Sequence, residues 1–94
     1  MAAKVIITTG DLKQEYQIID AIFAIDSHKE GMFKGADPGK AFDGVKDELR
    51  KACAKAGGNA VINCQFEYRA AVDKHMIGSS QVFEIFAYGT AVKT

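Results

Sequence analysis

Two cysteines, two histidines and one Asp-Ser-His run are the residues of this 94-residue chain with the strongest chemical potential. As thiolates, Cys53 and Cys64 could ligate a soft metal, but their spacing is neither C-x-x-C nor any zinc-ribbon pattern. Helical periodicity puts Cys53 on an apolar stripe, and strand alternation puts Cys64 on an apolar face. Both are therefore expected in one core as free thiols. The alternative is a soft-metal or chalcogen site in which Cys64, with Cys53 as a second thiol, converges on the axis of a ring. His28 and His75 fall in polar segments with charged neighbours and read as solvated side chains. Asp26-Ser27-His28 holds the residue types of a hydrolytic triad, yet consecutive residues of an extended chain point to opposite sides. Gly35–Lys40 (GADPGK) imitates a phosphate loop, but Lys34 stands where its first glycine is needed and Ala41 replaces the Ser or Thr. Phe66, Tyr68, Phe83, Phe86 and Tyr88 could stack nucleobases, although the glycine-aromatic signature of RNA-binding sheets is missing. No catalytic, cofactor-binding or metal-ligating residue is assigned, and no enzymatic activity is expected.

Composition narrows the field further. Twelve basic and twelve acidic residues give a formal charge of zero. That removes the attraction on which nucleic-acid binding depends and gives no polybasic signal for a membrane. With no apolar run near the length of a membrane span and no signal peptide, a cytoplasmic protein with reduced thiols is expected. The length fits one domain over residues 1–94. A chain of this size buries only about 64% of its unfolded surface, yet 48% of its residues are apolar. The excess apolar surface points to partner subunits.

The elements that would position these side chains read as β-β-α-β-β. Lys4–Thr9 is a short β-branched strand, and Tyr16–Asp26 is a longer one with apolar groups on both faces. Ser27–Asp37 reads as a loop, followed by a helix with Asp37 as N-cap and Pro38 in its first position. Phe42, Val45, Leu49, Ala52, Cys53 and Ala56 form its apolar stripe, Asp47 is expected to pair with Lys51, and Gly44 weakens the first half. Gly57-Gly58 stops the helix. Asn59–Arg69 is the third strand, with Ala60, Ile62, Cys64, Phe66 and Tyr68 on one face. Ala70–Ser80 reads as a polar connection and Gln81–Lys93 as the last strand. Glu67, Arg69 and Glu84 are placed for a cross-strand ion pair. One helix covers one face of such a sheet, so the apolar groups of the opposite face need an external partner.

Thr8-Thr9 with its acidic turn, the strand Tyr16–Ile25, the stretch Leu49–Tyr68 (LRKACAKAGGNAVINCQFEY) and the closing Tyr88–Lys93 (YGTAVK) resemble the YbjQ-like family. This is the domain-of-unknown-function 74, or UPF0145, group, which carries a heavy-metal-binding label; Ala24–Asp37 departs from its pattern. The resemblance implies an α+β subunit with a dodecin-like β-α-β-β core, an additional N-terminal strand and a mostly antiparallel sheet with one helix on one face. It also implies a ring-shaped homopentamer. Any small-molecule or metal ligand is then expected between subunits, where the loops Ser27–Asp37 and Ala70–Ser80 would line the pocket.

Overall fold

The computed structural model of the chain describes residues 4–29, 38–75 and 78–94. Its elements follow in the expected order: β1 (Ile6–Ile7), β2 (Gln17–Lys29), α1 (Pro38–Ala56), β3 (Ala60–His75) and β4 (Gly78–Lys93). They form one mixed sheet in the order β1-β3-β4-β2, in which only β1 and β3 run parallel. α1 crosses one face of it, chiefly over β2 and β4. The fold is α+β.

The helix ends where two glycines allow it to. Gly57 has φ 94°, and its N–H donates to the Ala54 carbonyl (3.0 Å) while the Gly58 N–H donates to that of Cys53 (2.9 Å). These two bonds satisfy carbonyls that the last turn leaves free. Ala41, Val45, Leu49 and Cys53, four residues apart, are fully buried against the sheet. The stripe is thus rotated from the one expected. Phe42 lies at its margin, stacked on Phe66 at 4.6 Å under the Lys46 ammonium, and Ala56 is exposed. Asp47 pairs with Arg50 (3.0 Å) and Lys51 with Glu48 (3.2 Å), so the Asp47–Lys51 pair does not form. Gly44 has a packing reason: the Asp26 carboxyl carbon would lie 2.8 Å from a Cβ at residue 44. The proposed N-cap, Asp37, lies outside the described residues.

Three strands are longer than composition indicated and one is shorter. β2 continues through Ser27, His28 and Lys29. Ala70–Ser80 is strand at both ends rather than a connection, with β3 and β4 paired out to His75 opposite Gly78. A two-stranded ribbon is held by its ladder of backbone bonds and can carry polar residues on either side, so alternation fails to mark it. β1 is only two residues long, because its neighbour β3 bulges just beyond it.

That bulge corrects the face assignment of β3. The pairing with β4 slips between Ile62 and Gln65, with Asn63 at φ 52° in the left-handed region that Asn tolerates. Before the bulge, Ala60 and Ile62 face away from the helix and pack with Val92, Leu12 and Tyr16. After it, Cys64 and Phe66 join Val61 on the helix side. The N-terminal turn satisfies the displaced backbone. Thr8 N–H donates to the Val61 carbonyl (2.9 Å), Cys64 N–H to that of Thr8 (2.9 Å), and Asn63 N–H to that of Gly10 (2.8 Å). Asp11 Oδ1 accepts from Leu12 N–H and from the Tyr16 hydroxyl, both at 2.7 Å.

The chain is elongated, at 54 × 26 × 18 Å with a radius of gyration of 15.7 Å. A compact chain of this length has a radius of about 12 Å. Its accessible surface is 6600 Å², against about 5300 Å² for a compact monomer of this mass. No helix among the described residues is long and apolar enough to cross a membrane.

Candidate functional site

Both thiols lie in the core between helix and sheet, as their positions in the sequence required. Cys53 on α1 and Cys64 just after the bulge are fully buried, free, and part of the same cluster as Leu49 and Val61. Cys53 directs its S–H toward the Ala60 carbonyl at 3.4 Å. Burial pushes both thiols above their ordinary range, which keeps them protonated at neutral pH and works against soft-metal ligation as thiolates. Among the described residues no three His, Cys, Asp or Glu side chains gather within reach of a common ion.

The other candidates are not brought together either. His28 is in β2 and His75 closes β3, so neither lies in a loop. Asp26, Ser27 and His28 occupy consecutive positions of β2, and consecutive strand positions alternate between faces. Of GADPGK, Gly35, Ala36 and Asp37 lie outside the described residues, and Pro38–Lys40 open α1. Phe66 and Tyr68 share the helix side of the sheet with their partners Ala87 and Ile85, whereas Phe86 and Tyr88 are on the opposite side. They cannot form one stacking platform. Arg69 donates to Glu84 Oε2 at 3.0 and 3.3 Å on that far face, the ion pair expected across the strands.

Among the described residues two surface features stand out. The first is the far face of the sheet, where Phe23 (72% exposed), Ile18 (66%), Ile6, Ile25 and Tyr88 stand in water with no described helix over them. The second is an open groove of about 370 Å³ between α1 and the edge strand β2. Phe23, Ala24 and Ile25 form its floor, and Glu48, Lys51, Ala52 and Lys55 its wall. The wall follows from helical spacing. With Leu49 and Cys53 turned down into the core, residues 48, 51, 52 and 55 make the adjacent stripe and overhang the strand edge. The sequence reading missed this groove and assigned ligand contacts to two loops: Ser27–Asp37, of which Ser27–Lys29 is strand and 30–37 lie outside the described residues, and Ala70–Ser80, most of which is strand. The available signal was the spacing of Glu48, Lys51, Ala52 and Lys55 beside a strand apolar on both faces.

One helix on a mixed four-stranded sheet, with a bulge locked by the N-terminal turn, defines a small α+β subunit class. The YbjQ_1 family model, described as "Putative heavy-metal-binding", matches residues 39–94. The chain belongs to this YbjQ-like family. Its fold is similar to the crystal structure of a DUF74-family protein of unknown function from Pediococcus pentosaceus ATCC 25745. The TM-score is 0.69 at 24% identity, covering 95% of this chain and 96% of that one. No curated protein matches the sequence.

Proposed function

We propose that the chain is a non-enzymatic, homo-oligomeric assembly module of the cytoplasm, built as a ring of five, in which any ligand site lies between subunits. The observation that carries this reading is the uncovered apolar face of the sheet. Phe23, Ile18, Ile6, Ile25 and Tyr88 present large side chains to water on a subunit with more surface than its mass warrants. Burying that face against copies of itself removes the exposure without a second gene product. Count and ring shape come from the family resemblance. Assembly is tested by thermal unfolding over a hundredfold range of protein concentration. A midpoint that rises with concentration is expected, because association stabilises the folded state by mass action. A concentration-independent midpoint in a protein that sediments as a monomer would overturn it.

A soft-metal role through Cys64, with Cys53, is the second reading, and the description of the family favours it. Burial of both thiols works against it unless a subunit opens. Mercury or zinc taken up stoichiometrically and lost in Cys64→Ser supports this role; uptake that survives the substitution rules it out.

A further inference from the structure

We propose that the N-terminal turn Thr8–Tyr16 is a strap over the bulge of β3, and that its release, with the rest of the subunit folded, is the opening that exposes Cys64. The inference rests on the soft-metal reading, in which Cys64 is the working thiol, and names what governs access to it. Cys64 sits at an edge of the sheet. β1 pairs only with Ala60 and Val61. Beyond them the neighbour of β3 is the turn, whose Thr8 carbonyl accepts from the Cys64 N–H. α1 lies chiefly over β2 and β4, which leaves that edge to the turn. Cys53 is placed differently. It is on α1 itself, with its S–H directed to the Ala60 carbonyl, and reaches solvent only when helix and sheet part.

The strap is built to move as one piece. Its ends are fixed. Val5 is buried in the main core, with its carbonyl accepting from Arg50 Nε at 3.3 Å, and Gln17 enters the ladder of β2 opposite Lys93. Between these anchors, Leu12 and Tyr16 are half-buried against Ala60, Ile62 and Val92, a cluster separate from the core that holds both thiols. The Tyr16 hydroxyl donates to Asp11 at the surface and closes the strap on itself. Backbone bonds from Thr8, Asn63 and Cys64 tie it to β3. A segment with so little buried apolar surface and so few bonds opens at a smaller free energy than the whole domain. Asn63 favours the opening, since its left-handed φ of 52° is held by the bond to Gly10 and is free to relax once the strap lifts.

The test uses the full-length protein under native conditions with each thiol alone: Cys53→Ala leaves Cys64, and Cys64→Ala leaves Cys53. Their reaction with an aromatic disulfide reagent is followed by absorbance. Cys64 is expected to react about tenfold faster than Cys53 or more, because its opening is local. Tyr16→Phe keeps the ring, loses the bond to Asp11, and is expected to speed Cys64 by about three- to tenfold. Cys53 should stay within about twofold of its own rate. Asp11→Ala removes the same bond from the other side and is expected to act in the same direction. Hydrogen exchange supplies an independent readout. The Asn63 and Cys64 amides, both bonded to the strap, should quicken by the same factor as the Cys64 thiol. Equal rates for the two thiols, or a Cys64 rate indifferent to both substitutions, overturns the strap. Failure of the metal reading shows separately, as mercury uptake that survives Cys64→Ser, and leaves the thiol and amide rates as expected.

Discussion

Gly89→Ala probes the bulge that decides the two faces of the sheet. A Cβ on residue 89 would stand 2.8 Å from Val61 Cγ1, 3.0 Å from the Ile62 carbonyl oxygen and 3.2 Å from Cys64 Cα. Two of these neighbours are backbone of the bulge itself, and the Val61 side chain is fully buried, so none can turn aside. Overpacking by one methyl in such a place costs about 1–3 kcal/mol. Replacing a strand glycine by alanine returns about 0.5–1 kcal/mol of backbone entropy. The net loss centres on about 1 kcal/mol, a fall in Tm of roughly 4–8 °C for a domain of this size. Thermal unfolding followed by circular dichroism at one fixed protein concentration measures it. Gly10→Ala is the control, because nothing lies closer to its Cβ position than Thr8 Oγ1 at 3.9 Å. It should leave Tm within a few degrees, or raise it slightly. If Gly89→Ala unfolds at the wild-type temperature, the bulge has room to shift and the close approach does not hold the register.

Asn63→Gly should change the denaturant midpoint little, whereas Asn63→Val should lose about 1–2 kcal/mol, because a β-branched residue resists the left-handed φ of 52°. Leu49→Ala, at a fully buried position, is expected to cost about 2–5 kcal/mol in urea unfolding. Both native thiols should react with a disulfide reagent only through the openings that expose them, and rapidly once denatured. Burial raises their folded pKa above the unfolded value. Their contribution to stability is therefore complete below the ordinary thiol range and declines as pH rises through it. Replacing both cysteines by alanine should flatten that alkaline decline.

Period-two and period-four patterns carried the architecture in the sequence, and turn chemistry carried its punctuation. Pro38 and Gly57-Gly58 bracket α1 as they should, and both cysteines were placed in the core by spacing alone. The faces of β3 were only half legible. Alternation holds on each side of Asn63, but the bulge that joins the halves depends on Thr8 and Gly10, distant in sequence, and on the small Gly89 opposite. The segments that carry the family resemblance, Thr8–Asp11, Gly57–Asn63 and Gly89–Val92, meet at this junction, so the similarity lies largely in a structural knot. The ribbon from Ala70 to His75 was hidden because backbone ladder bonds define it, and the polar run Asp73-Lys74-His75 gives no hydrophobic alternation to read. The groove was hidden because its stripe of Glu48, Lys51, Ala52 and Lys55 looks like any solvated helix flank until β2 is known to be an edge.

The far face of the sheet is the centre of the functional reading, and native mass tests it most directly. Light scattering coupled to size exclusion, applied to the wild type and to Phe23→Asp, decides the matter. Phe23 is 72% exposed on the lone subunit, so an acid there should leave its fold unchanged while placing charge in an apolar contact. The wild type is expected as a discrete multiple of 10.2 kDa, and Phe23→Asp as a smaller, folded species. A wild type that elutes as a monomer, or an assembly indifferent to Phe23→Asp, would contradict burial of that face between subunits.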